Sequence, residues 1–93
     1  MFTQEDFSQI NKDYFIIRIT TPYNIHLISK NTKHHWVIQP QTFNNCRILT
    51  VLHRHGQSGE FHIQPRFHPH SVDQAQELIK SHDKFQLNGR RKI

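Results

Sequence analysis

The chain has 93 residues, enough for one modest hydrophobic core and too few for two, so we expect a single domain over residues 1–93. Twelve Lys and Arg against seven Asp and Glu give a net charge of +5, and nine histidines can add to it, which favours an anionic partner. No stretch approaches the roughly 18 apolar residues of a membrane span, and the N-terminus lacks signal-peptide features, so we expect a cytoplasmic protein.

The first segment predicts a short N-terminal helix. Thr3 can cap this helix because Glu5 and Asp6 lie in its first turn, where carboxylates interact favourably with the helix dipole. Phe7 and Ile10 would form its apolar edge, which would turn toward the core.

Alternating apolar residues then predict three successive strands. The run DYFIIRITT predicts the first strand, and residues 25–30 predict a second strand that forms a hairpin with it. Residues 35–39 predict a third strand, with Trp36 on its core face. This strand should end at Pro40, which cannot donate a ladder hydrogen bond, and residues 41–45 would form a polar loop.

The stretch from Cys46 to Gln64 predicts a β-hairpin. Arg47 to His53 is rich in β-branched and aliphatic residues, residues 56–59 supply a turn, and Phe61 and Ile63 alternate with polar residues. The single cysteine excludes an intrachain disulfide. Because Cys46 lies in an apolar run, we expect it to be a buried, reduced thiol.

The C-terminal part predicts a helix from Ser71 to about His82. Ser71 followed three residues later by Gln74 is a capping box. The apolar residues recur at helical spacing and predict a stripe that covers one sheet face: Val72, Ala75, Leu78 and Ile79. Residues 88–93 would form a flexible basic tail. The predicted fold is α+β: an antiparallel β-meander of four to five strands, a C-terminal helix on one face and a short N-terminal helix.

The predicted hairpin also contains the residues best suited to catalysis. His53 and His55 should share one face of a strand, and Glu60 and His62 should share a face of the paired strand. These four are the candidate catalytic residues of a metal-independent ribonuclease of toxin type, in which they transfer protons while an arginine stabilises the phosphorane. Alternatively His53, His55 and His62 could bind zinc, although no second cysteine supports a metal site and we expect no cofactor.

The histidines can equally be half-exposed surface residues, and no complete catalytic motif is visible. Our first hypothesis is therefore a non-enzymatic nucleic-acid-binding protein that contacts RNA or DNA through a basic, histidine-rich surface. A third hypothesis is an accessory protein of a mobile element that binds and inhibits a protein partner. The candidate nucleic-acid contacts are Arg18, Lys30, Lys33, Arg47, Arg54, Arg66, Arg90, Arg91 and Lys92.

The predicted order of elements resembles that of double-stranded RNA-binding domains. The last helix of those domains begins with a basic run, but residues 71–74 of this chain read Ser-Val-Asp-Gln. This absence counts against membership of that family.

Overall fold

A computed structural model describes residues 1–56, 59–64 and 67–88. Five strands form one antiparallel sheet in chain order, which confirms the predicted meander with its two helices. The elements are α1 (Gln4–Ser8), β1 (Phe15–Thr20), β2 (Ile25–Ser29), β3 (His35–Phe43), β4 (Cys46–Arg54), β5 (His62–Ile63) and α2 (Val72–Leu87).

Helix α1 begins with the predicted cap. The Thr3 hydroxyl accepts a hydrogen bond from the Asp6 amide, and the Asp6 carboxylate accepts one from the Thr3 amide at 2.8 Å. Burial alone would raise the pKa of Asp6, but hydrogen bonds and charge from Arg47, with the Thr3 amide, lower it below its usual value. Arg47 therefore connects β4 to α1 through a bidentate ion pair with Asp6, at 3.0 and 3.2 Å.

Strand β3 is longer than the sequence predicts. It continues through Pro40 to Phe43, so the predicted end at Pro40 is wrong. Beyond Ile38, β3 pairs with β4 but no longer with β2, and an edge position tolerates a residue without an N–H group. The predicted polar loop is instead a two-residue turn, in which Asn44 and Asn45 have φ values of 51° and 61°.

The cysteine lies beside this turn. Cys46 is the first residue of β4 and is exposed, so the expected buried thiol is wrong. The apolar run that suggested burial begins after it, with Leu49 and Val51 in the core. Burial in β4 therefore starts where the strand enters the body of the sheet.

Helix α2 has the predicted Ser71 cap, but the predicted capping box does not close, because the Gln74 side chain accepts from the His70 amide and not from the Ser71 amide. The helix continues to Leu87, beyond the predicted end near His82. Its C-terminal end is the turn at Asn88, and the rest of the predicted tail lies outside the described residues. The buried side of α2 also differs in part from the predicted stripe, since Leu78 is only half-buried. The buried residues of α2 are Val72, Ala75, Gln76, Ile79 and Asp83.

The core lies between α2, the N-terminal segment and one face of the sheet. It includes Phe15, Leu27, Trp36, Val51 and Ile79, and the predicted core position of Trp36 is confirmed. In the described part of the chain, no helix is long and apolar enough to cross a membrane. We refer to the face of the sheet that lines this core as the covered face.

Candidate functional site

Four histidines pack together on the covered face. His34 Nδ1 and His53 Nε2 are 2.9 Å apart, and the ring centroids of His53 and His55 are 4.8 Å apart, so these two residues do share a face. His82 of α2 packs edge-on against His53, and His53 also stacks on Trp36 at 4.0 Å between ring centroids. These imidazoles therefore form an aromatic cluster that runs from the buried His53 out to the exposed His55.

The four candidate catalytic residues differ sharply in access to solvent. His53 is only 4% exposed, whereas His55, Glu60 and His62 are exposed. His62 is the ladder partner of His53 across β4 and β5. A substrate phosphate could reach His62 and Glu60 from solvent but would have to displace core side chains to reach His53.

The described residues contain no group of three or more His, Cys, Asp or Glu arranged to hold a metal ion. The packing of the imidazoles gives a physical reason, because His34 and His55 stack face to face, with planes only 27° apart. A metal requires nitrogen lone pairs that converge on one point, and stacked rings direct their lone pairs in parallel.

Two of the candidate basic residues are engaged in structural contacts. Arg47 forms the ion pair with Asp6, and Lys30 donates from Nζ to the carbonyl oxygen of Lys12 at 2.9 Å. Lys33 is exposed in the turn between β2 and β3, where its φ is 63°. Four other candidates lie outside the described residues: Arg66, Arg90, Arg91 and Lys92.

The remaining two arginines, Arg18 and Arg54, belong to the opposite face of the sheet, which we call the open face. In the described part of the chain, both helices pack on the covered side, and the side chains of the open face are mostly half-buried or exposed. The strand register aligns its residues in two rows across the sheet. The open face consists of Ile16, Ile19, His26, Ile28, His35, Val37, Leu52, Arg54, Phe61 and Ile63, together with Arg18 at the β-bulge between Ile17 and Ile19, whose charge acts on His26 and His35.

A hydrogen-bonded histidine pair lies at the centre of the open face. His26 Nε2 lies 2.9 Å from His35 Nδ1, and Arg54 Nη2 lies 3.3 Å from the same His35 nitrogen. Because guanidinium can only donate, His35 Nδ1 must accept both bonds. His26 therefore carries its proton on Nε2, which leaves its Nδ1 as an acceptor.

Both imidazoles are neutral at pH 7. Burial, together with the positive charges of Arg18 and Arg54 and the neighbouring His35, lowers the pKa of His26 to about 4. Burial and the same two arginines also lower the pKa of His35. The cations of the open face are therefore arginines, with an uncharged histidine pair between them.

Phe61 extends this cluster from the loop that precedes β5. Its ring lies 4.5 Å from the Arg54 guanidinium and packs edge-on against His26, at 5.6 Å between centroids. Arg54 is held in place by a bond from its Nε to the carbonyl oxygen of Gly56 at 2.6 Å. The result is a preorganised cluster of cation, aromatic ring and imidazole on an otherwise apolar surface.

Sequence reasoning identified Arg18 and Arg54 but missed His26, His35 and Phe61. The available signal was parity, because His26 and Ile28 alternate with the buried Ile25 and Leu27 and therefore share the opposite face. Parity within one strand does not say which residues of neighbouring strands meet. That depends on the pairing register of β2, β3 and β4.

An open groove of about 450 Å³ lies along the outer side of α2. Asp73 and Glu77 contribute two carboxylates to it, one helical turn apart. This arrangement does not suit an anionic ligand. The groove is lined by His68, Pro69, Asp73, Gln74, Glu77 and Leu78.

Comparison of the chain with protein-family models, curated proteins and solved structures gave no significant match. The function of the protein must therefore be inferred from the geometry of the open face.

Proposed function

We propose that the protein is a non-enzymatic nucleic-acid-binding module and that the open face is its contact surface. The observation that carries this proposal is the cluster of Arg54, Phe61 and His26, which is braced from beneath by the buried His35, with Arg18 on the same face. Arginine attracts phosphate, and aromatic and imidazole rings pack against bases. The net charge of +5 adds long-range attraction for a polyanion.

The chemistry of the histidines favours binding over cleavage. A general base works best when its pKa lies near the working pH, but the pKa of His26 is about 4. Among the earlier catalytic candidates, His53 is buried in an aromatic cluster. These features support recognition of nucleic acid rather than its hydrolysis.

The test is titration of a labelled oligonucleotide at two salt concentrations with wild-type protein and two charge-matched variants. Arg18→Gln removes an exposed cation from the open face, whereas Lys84→Gln removes one from α2 on the other side of the sheet. We expect affinity to fall as salt rises, through counterion release. Arg18→Gln should weaken binding and reduce the salt slope by about one ion, while Lys84→Gln should change neither.

Absence of binding at low salt would overturn the proposal. Equal effects of Arg18→Gln and Lys84→Gln would show that net charge, rather than the open face, attracts the nucleic acid. If no nucleic acid bound, the exposed Ile16 and Ile63 would favour a protein partner on the same face.

A further inference from the structure

We infer that the open face takes single-stranded nucleic acid, with an unpaired base against Phe61 and His26 and with phosphates at Arg18 and Arg54. This inference rests on the proposed function and specifies its substrate class. It excludes duplex as the preferred ligand. Three features of the face favour a single strand: its apolar area, the spacing of its cations, and the acceptor that its histidine pair presents.

The first feature is the apolar content of the open face. Ile16 is 44% exposed and Ile63 62% exposed, and the half-buried Ile28, Val37 and Leu52 lie between them. A duplex turns its phosphates and sugars outward and hides the faces of its bases, so it would leave these apolar side chains without apolar partners. The faces of unpaired bases are flat and apolar, and they gain free energy when they leave water against such side chains.

The spacing of the cations is the second feature. Arg18 lies on β1 and Arg54 on β4, so their backbones are three strand positions, or about 14 Å, apart across the sheet, and the charges of both side chains act on the histidine pair between them. Two phosphates of one strand held at these arginines would leave room for bases to lie between them. The side chains that face that space are the half-buried His26 and Phe61, and the buried His35 holds His26 in place.

The acceptor on His26 is the third feature. The hydrogen bonds to His35 Nδ1 leave His26 Nδ1 as an acceptor close to the Phe61 ring. The amino and imino groups on the Watson–Crick edge of a base are donors, and only an unpaired base has them available. A neutral imidazole can accept from them, whereas a histidinium could not.

The experiment compares one labelled oligonucleotide as a single strand and as a duplex, at the same low salt, against wild type, Phe61→Leu and Phe85→Leu. Phe61→Leu keeps an apolar side chain but removes the ring, and Phe85 is an exposed phenylalanine on α2 that serves as the control. We expect wild type to bind the single strand at least 10-fold more tightly than the duplex. Phe61→Leu should weaken single-strand binding about 5-fold or more, in the range of one lost base stack, with little effect on the duplex. Phe85→Leu should match wild type.

Competition with inorganic polyphosphate needs only the wild-type protein and tests the inference even if Phe61→Leu does not fold. Polyphosphate that displaced the single strand at equal phosphate concentration would show that charge alone attracts the ligand and would overturn the inference. Equal affinity for single strand and duplex would also overturn it, while the proposed function would stand. If neither nucleic acid bound at low salt, both the proposed function and this inference would fall.

Discussion

The carboxylate of Asp83 on α2 accepts a hydrogen bond from the hydroxyl of Ser29 on β2 at 2.6 Å, and both residues are fully buried. Tyr14 donates to the same carboxylate at 2.7 Å and Thr32 at 3.0 Å. Ser29 in turn accepts the indole N–H of Trp36 at 3.1 Å. These bonds stand in for water around a buried carboxylate and fix the C-terminal half of α2 on the sheet.

Replacing Asp83 with Asn should destabilise the fold. Asn has the same shape, but its amide NH₂ cannot accept the hydroxyl donors, so at least one buried polar group loses its partner at a cost of about 1 to 3 kcal/mol. The charge-matched control is Asp13→Asn, because Asp13 is exposed, and this change should stay within about 0.5 kcal/mol. Urea melts followed by fluorescence of the single, buried Trp36 measure both variants. Equal unfolding midpoints for the two would contradict a structural role for the Asp83 network.

The apolar contact of α2 with the sheet is tested at three consecutive residues. Ile79 is fully buried, Leu78 is half-buried and Glu77 is exposed. Ile79→Ala should lower the free energy of unfolding by about 2 to 5 kcal/mol because it leaves a cavity. Leu78→Ala should lower the free energy of unfolding by less than Ile79→Ala does, and Glu77→Ala should change it by about 0.5 kcal/mol or less. A larger loss for Leu78→Ala than for Ile79→Ala in denaturant melts would mean that α2 packs through a different face.

Acid should destabilise the fold through the histidine pair of the open face. The pKa of His26 falls from 6.5 in the unfolded chain to about 4 in the folded protein. Between these values the unfolded state binds more protons, so the contribution of His26 is fully present above pH 6.5 and is lost as pH falls toward 4. After allowance for its partial exposure, we expect a loss of about 1 to 2 kcal/mol between pH 7 and pH 5.

Urea melts at pH 7 and pH 5 check this linkage. His26→Gln removes the titrating group, so the variant should lose less stability on acidification than wild type does. Gln39→Ala is the control, because it truncates a non-titrating side chain of β3 and should lower stability equally at both pH values. The same acid sensitivity in His26→Gln and wild type would assign the effect to other groups.

The accuracy of the sequence prediction followed the range of the interactions involved. The Thr3 and Ser71 caps depend on contacts three residues apart, and both were predicted correctly. The prediction that β3 ends at Pro40 was wrong, because the strand can continue through that proline only where β2 no longer pairs with β3. The strand order followed from short connections, since consecutive strands joined by tight turns become neighbours.

The polar residues of the interior also depend on contacts between residues that are far apart in the sequence. Asp83 follows Ile79 by four residues and so shares the buried side of α2, but the hydroxyl that makes burial of a carboxylate possible there lies 54 residues earlier in the chain. The ion pair of Asp6 with Arg47 spans 41 residues. The histidine pair and Phe61 likewise meet only through sheet register. Alternation of apolar residues predicts which face a residue occupies but not which partners it meets there.

The Tyr14 hydroxyl provides a direct spectroscopic test of the Asp83 network. Burial and the hydrogen bond to Asp83, opposed by the bond from Asn31, raise the pKa of Tyr14 to about 12. The chain has two tyrosines, so Tyr23→Phe leaves Tyr14 as the sole source of phenolate absorbance. We expect a midpoint about two pH units above the ordinary value of 10, and Asp83→Asn in the same background should move it down.

The same shift predicts how stability depends on alkali. Because the unfolded chain loses the Tyr14 proton near pH 10 and the folded protein near 12, this contribution to stability is fully present below pH 10 and is lost as pH rises toward 12. Tyr14→Phe should remove that dependence and cost about 0.5 to 1.5 kcal/mol at neutral pH for the lost hydrogen bond. Trp36 emission recorded during the titration reports whether the core is intact at each pH. A phenolate midpoint near 10 while Trp36 remains buried would mean that Tyr14 does not donate to Asp83, and that this hydrogen bond does not connect the residue before β1 to α2.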